Sequence, residues 1–270
     1  MKIFISADME GIAGPAHWDE VDKTHANYAE FREQMTAEVV AACEGALNAG
    51  ATEIVIKDAH WTGRNIIAAK LPREARLIRG WTRDPYSMMA GLDSSFHAAL
   101  MVGYHARSGS DGSPLAHTLT ERVASVTIND RYAAEFLINA YTAGLFGVPV
   151  IFLSGDATIC ADAADFLPGM ATVATMEGIG NATNSIHPDL AIERIREGVE
   201  TALKANVSRC NVVMPAHFVA EITYQKHITA RQVSFYPGAH LSQSHRVQFE
   251  ADDYFDILRF FMFGISMTND

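Results

Sequence analysis

Short apolar runs of strand length alternate with segments of helical period along most of this chain, and that alternation restricts the fold more than any other feature. Strands are predicted over residues 2–6, 53–57, 75–78, 98–103, 125–128 and 148–153, with helices over 27–48 and 132–145 between them. Strands that alternate with helices predict an α/β class, a mostly parallel sheet with helices on both faces. In the first helix Phe31, Met35, Val39, Ala42, Ala46 and Leu47 recur near the 3.6-residue spacing, and Gly50 supplies a stop signal. The second helix follows Asn129-Asp130, either of which caps it, and stops before Gly147-Val148-Pro149.

Beyond about residue 184 the texture changes. A helix over 188–205 precedes shorter, more polar strands at 211–214, 232–236 and 246–250, and a closing helix over 252–267 is apolar on most sides. The division expected is an α/β domain over 1–184 and a smaller α+β lobe over 185–270. The closing helix then packs into the body or against another copy of the chain.

Charge narrows the partners. With 21 Lys and Arg against 32 Asp and Glu, the formal charge is −11, a field that repels nucleic-acid backbones and anionic lipid surfaces. Neither nucleic acid nor membrane is expected as a partner. No stretch reaches the roughly 18 apolar residues of a membrane helix, and the strand-like start, with only Lys2 ahead of it, leaves no room for a signal peptide. A cytoplasmic location is the expectation. Cys43, Cys160 and Cys210 are too widely spaced for a metal knuckle or a disulfide framework, so free buried thiols are expected.

In a parallel α/β sheet ligands bind beyond the carboxyl ends of the strands, and the residues there are alike in kind. The first strand runs into Ser6-Ala7-Asp8-Met9-Glu10-Gly11, the second into Lys57-Asp58-Ala59-His60, and the fourth into Gly103-Tyr104-His105-Ala106-Arg107. The fifth runs into Asn129-Asp130, with Glu135 one turn into the next helix. Carboxylates and imidazoles without cysteine suit a borderline divalent ion, Zn²⁺ first and Mn²⁺ or Co²⁺ next. Asp8, Glu10, His60, His105 and Glu135 exceed the needs of one tetrahedral ion. Two ions sharing a carboxylate account better for five donors, and Asp8 at the strand terminus is the candidate bridge. Asp58, two residues before His60, is expected to orient its imidazole. The other eight histidines outside His60, His105 and His117 follow no ligand spacing and read as surface or structural groups.

Taken together, those strings with Ile128-Asn129-Asp130-Arg131, Met35-Thr36, Asn139-Ala140-Tyr141, Val148-Pro149-Val150 and Gly155-Asp156 make the chain resemble the D-aminopeptidase family of dizinc peptidases. The resemblance is strong to about Asp156 and diffuse afterwards. It implies that Asp8, Glu10, His60, His105 and Glu135 hold two Zn²⁺ per subunit with Asp8 shared. It also implies that His117, in Ala116-His117-Thr118, is catalytic, a nucleophile by the family's description, while the chemistry of an imidazole beside a dimetal centre equally suits a proton shuttle or an oxyanion stabiliser. A homodecamer of stacked pentamers is the assembly it implies.

The function expected is therefore a zinc aminopeptidase hydrolysing short peptides or amino-acid amides at the N-terminal residue, D-residues in particular. Two rivals stand beside it. A binuclear metal phosphoesterase would use Arg107 and Arg131 beside the metals, and a non-catalytic metal-dependent peptide-binding protein would keep the site for stability alone.

Overall fold

The computed structural model describes residues 1–266; Met267, the last residue of the expected closing helix, lies outside the described residues. Along the chain run β1 (Lys2–Ala7), α1 (Trp18–Val21), α2 (Tyr28–Asn48), β2 (Glu53–Asp58), β3 (Ala75–Ile78), β4 (Ala98–Tyr104), β5 (Val123–Ile128), β6 (Arg131–Tyr132), α3 (Glu135–Leu145) and β7 (Val150–Asp156). They are followed by α4 (Ala157–Phe166), β8 (Ala171–Ile179), β9 (Ala182–Ser185), α5 (Pro188–Lys204), β10 (Phe218–Tyr224), α6 (His227–Val233), β11 (His240–Gln243), β12 (Arg246–Ala251) and α7 (Tyr254–Phe261).

Among the described residues, a seven-stranded sheet has the order β3-β2-β1-β4-β7-β8-β9, parallel except where β9 returns antiparallel along β8. Its central strands are buried on both faces, as the successive Ile3, Phe4 and Ile5 of β1 illustrate. This is why they read as continuous apolar runs instead of alternating ones. Helices flank the sheet: α5 packs on α2 and on β7 and β8, α3 on β4, and α4 on β7 and β8. The α/β class with a mostly parallel sheet is therefore what the sequence predicts.

A second, five-stranded sheet of order β11-β12-β10-β5-β6 is antiparallel throughout. The strand expected over 125–128 belongs here and not to the parallel sheet, paired with β10 through Val126 and Ile222. The smaller sheet thus takes strands from both sides of residue 184. Asn129 and Asp130 do not cap a helix; both have positive φ, 49° and 64°, and form the two-residue turn of the β5–β6 hairpin, where such backbone is required. Glu135 opens α3 with no side-chain cap from Ala134. Two further expectations are corrected in the C-terminal part. Residues 211–214 form no strand, and 232–236 begin inside α6, whose amphipathic turn buries Ala230 and Val233. α7 lays Ile257, Leu258, Phe260 and Phe261 into the core, as its apolar composition predicts. Cys43, Cys160 and Cys210 are free and buried, and among the described residues no helix is long and apolar enough to cross a membrane.

Two glycines bring the ends of β1 and β4 together. The Gly11 amide donates to the Gly103 carbonyl at 2.9 Å, and a Cβ on Gly11 would stand 1.7 Å from the Tyr104 carbonyl oxygen. Gly103 has φ +75°, and a Cβ there would meet the Asp8 carbonyl oxygen at 2.3 Å. Only residues without side chains permit this approach, and it places Asp8, Glu10 and His105 at one point of the sheet edge.

Candidate metal centre

Five of the six residues singled out in the sequence converge as a buried set, and the sixth borders it. Asp8, Glu10, His60, His105 and Glu135 are all buried, while the His117 side chain keeps 14% exposure. Asp8, just past β1, turns its two oxygens to opposite neighbours. Oδ1 lies 3.4 Å from His60 Nδ1 and Oδ2 lies 3.5 Å from His105 Nε2. Glu10 Oε2 stands 3.0 Å from the same His60 nitrogen, and Glu135 Oε2 stands 3.5 Å from His105 Nε2. Two triads result, Asp8–Glu10–His60 and Asp8–His105–Glu135, with ligand atoms within 4.8 Å of one another inside each. Glu10, His105 and His117 form a third such group.

The tautomers decide what these triads can do. His60 Nε2 is 2.8 Å from the Val21 carbonyl at the end of α1, and His105 Nδ1 is 2.9 Å from the Ala106 carbonyl. A carbonyl only accepts, so each of these nitrogens carries the proton. In the neutral rings the remaining nitrogens then aim lone pairs at carboxylate oxygens. His105 Nε2, fully buried, has no hydrogen-bond partner among the described residues. Lone pairs facing carboxylates in a buried site require a positive charge between them, and imidazoles anchored through the other ring nitrogen are the usual form of a metal-bound histidine. The donor set fits borderline divalent ions.

Electrostatics without an ion tell the same story. Burial pushes the Asp8 carboxyl well above the usual range, with the Glu10 charge adding to it. For Glu10 burial also acts upward, yet the charge and hydrogen bond of His60 hold it well below normal. Glu135 falls to about 2: burial again acts upward and is outweighed by His105 and His117. Burial alone would lower His60 and His105, but the surrounding carboxylates raise both. The pocket gathers protons where a cation belongs.

His117 lies over His105, ring centroids 4.4 Å apart and nearly parallel, and edge-on to Trp18 at 5.3 Å. Its Nδ1 donates to the Leu115 carbonyl at 3.0 Å, which leaves Nε2 facing Glu135 Oε1 at 3.7 Å. Glu135 is itself held by the Leu119 amide at 2.7 Å.

Several positioning groups escape sequence reading. Asp58 does not touch the His60 ring. Its carboxylate is taken by the Asn65 and Ile66 amides and the Asn65 side chain, so it shapes the loop after His60 while the Val21 carbonyl orients the imidazole. Asp156 accepts from the Ala106 amide at 2.6 Å and so steadies the peptide that anchors His105. Arg107 stacks on Tyr132 at 4.0 Å and Arg131 pairs with Asp165. Both line a surface cleft with Asp162 and Asp165, where carboxylates already balance the charge that a phosphoesterase would direct at substrate.

A family model described as D-aminopeptidase matches residues 1–263. The D-aminopeptidase of Bacillus subtilis (strain 168) is 34% identical over 255 residues, 94% of this chain and 92% of that one. A solved structure, the Zn-dependent D-aminopeptidase DppA from Bacillus subtilis, a self-compartmentalizing protease, has a TM-score of 0.93 at 31% identity. It covers 100% of this chain and is itself covered over 99% of its length.

Proposed function

The chain belongs to the D-aminopeptidase family, and from that premise we propose that it is a zinc-dependent aminopeptidase that removes the N-terminal residue of short peptides or amino-acid amides, D-residues in particular. The observation that carries the reading is the pair of buried triads joined through the two oxygens of Asp8. We assign two zinc ions per subunit, one to Asp8, Glu10 and His60 and one to Asp8, His105 and Glu135. Zinc, when bound, supplies Lewis-acid polarisation of a carbonyl and brings the acidity of water close to neutral pH.

The chain supplies the rest. The Val21 and Ala106 carbonyls hold the two imidazoles in the tautomer that presents a lone pair inward. Glu135, ionised and held by the Leu119 amide, faces His117 Nε2. With Nδ1 committed to Leu115, Nε2 is the nitrogen that takes a proton as water adds to the scissile carbonyl and returns it to the leaving amine. The His105 ring stacked on His117 and the Trp18 ring edge-on to it restrict its rotation.

We further propose a homodecamer of stacked pentamers in the cytoplasm. Residues 1–184 hold all six site residues, and 185–270 contribute the exposed Val213, Ile228, Phe235, Leu241 and Phe263 as contact surface between copies. Self-compartmentalisation in the structural relative supports this. Light scattering on the purified chain tests it, and a monomer overturns it. The activity is tested with matched D- and L-aminoacyl amides and dipeptides. Chelator-sensitive release of amine that favours D-residues is expected. No turnover on any member by protein carrying two zinc ions refutes the reading.

A further inference from the structure

Two buried tyrosine–asparagine pairs stand behind the candidate centre, one behind each triad. Tyr104, immediately before His105, has a fully buried hydroxyl that donates to Ser6 Oγ at 2.7 Å and accepts from Asn139 Nδ2 at 2.9 Å. Ser6 Oγ passes the chain on to the Met88 carbonyl at 2.9 Å. Direction is fixed at both ends, since the Asn139 amide nitrogen only donates and the Met88 carbonyl only accepts. Each member sits beside a residue of one triad. Ser6 is two residues before Asp8, Tyr104 is one before His105, and Asn139 is one helical turn after Glu135 on the same face of α3.

The second pair serves the other triad. Asn65 Nδ2 donates to the His60 carbonyl at 2.7 Å and to Asp58 Oδ1 at 2.8 Å, and Asn65 Oδ1 accepts from the Tyr28 hydroxyl at 2.8 Å. Tyr28 and Asn65 are both buried. The Tyr28 hydroxyl fixes which way the Asn65 amide faces, and so keeps its nitrogen on the backbone of His60.

Burying hydroxyls and amides is unfavourable unless every partner is present, and a satisfied network specifies a single arrangement. We propose that these pairs are separate positioning devices, Tyr104–Asn139 setting metal affinity at Asp8–His105–Glu135 and Tyr28–Asn65 setting it at Asp8–Glu10–His60. The inference rests on the two-ion reading above. Groups bonded directly to a metal ligand alter affinity by about 10–100-fold; the two tyrosine hydroxyls act one hydrogen bond further back, and removal of one is assigned the lower end.

The test compares Tyr104→Phe and Tyr28→Phe with the parent chain. Zinc affinity is read by competition with a chelating dye, and zinc-edge anomalous scattering from crystals grown at limiting zinc reads each position by itself. Tyr104→Phe is expected to weaken one binding step about tenfold and to empty first the position beside His105. Tyr28→Phe empties first the position beside His60. Should Tyr104→Phe fail to fold, Ser6→Ala breaks the same chain at its other end. The same position emptying first in both variants, or occupancies unchanged in both, overturns the proposal while the two-ion reading stands. A parent chain that binds no zinc overturns both. A merely structural role lowers the melting temperature of the metal-free protein and leaves the order of emptying untouched.

Discussion

Replacing Glu38 by glutamine removes one ionisable group from the core, and its consequence is fixed by the surroundings of that carboxylate. Glu38 lies on α2 with no exposed surface. Its Oε1 accepts from the Ala13 amide at 2.8 Å and from Gln34 Nε2 at 2.9 Å, and its Oε2 has no hydrogen-bond partner among the described residues. Burial pushes the carboxyl from 4.5 to about 7 in spite of those hydrogen bonds. A raised acid means that the folded protein holds a proton which the unfolded chain releases. Its effect on stability is therefore most favourable below about pH 4.5, is lost as pH rises towards 7, and stays level above. The total loss across that window is about 3 kcal/mol. Glu38→Gln carries no charge at any pH and abolishes the window, while its amide leaves a buried N–H without an acceptor, at about 1 kcal/mol. The variant should be more stable than the parent by about 2 kcal/mol at pH 8 and slightly less stable near pH 4.5. Urea unfolding of both chelated proteins from pH 4.5 to 8 measures it, because contributions from the site carboxylates cancel in the difference. Parallel stability curves for the two proteins would refute the argument.

His117→Ala should lower kcat by about 10²–10⁴-fold with two zinc ions still bound, measured by steady-state kinetics beside metal analysis; a loss of zinc in step with activity would make His117 a ligand instead. Asp8→Asn should weaken both zinc ions together, since each of its oxygens serves one triad, and calorimetric titration checks this. Stripping zinc should lower the melting temperature. Zinc in hundredfold excess over its dissociation constant stabilises by about 2.7 kcal/mol, and scanning calorimetry with and without chelator reads the difference. Gly11→Ala should yield little folded protein, because its Cβ would fall 1.7 Å from a backbone oxygen of Tyr104; normal soluble yield and zinc content would contradict that close approach.

Much of the parallel sheet was legible because strands buried on both faces leave continuous apolar runs, and the polar residues that end those runs are the ones gathered at the sheet edge. Sequence order delivered Asp8, Glu10, His60 and His105 to one place because strand ends of a parallel sheet share a side, whereas Glu135 arrives from the first turn of α3, behind a hairpin of the antiparallel sheet. Partner choice was not legible. Val123–Ile128 reads as a strand wherever it pairs, and nothing local says that β10, almost a hundred residues on, is its neighbour. Asn129-Asp130 suits a helix cap and a hairpin turn equally well, and only the positive φ values separate them. Nor could the sequence show what orients His60. Aspartate is the familiar partner and stood two residues away, but the acceptor is the main-chain oxygen of Val21, a group every residue carries and no side chain advertises.

That oxygen ties the centre to the history of the chain as well as to its final shape. The ring of His60 is held from 39 residues upstream, Glu10 faces it from 50 residues away, and the amide beside His105 waits for Asp156, 50 residues downstream. No excised fragment of one or two elements contains the set, and contacts of such separation close late in folding. The proposed zinc site is therefore finished only after β1, α1, β2, β4, β7 and α3 have docked. Metal uptake would report completion of the whole α/β body, and dissociation of the ions on heating would mark its global collapse instead of the fraying of one loop.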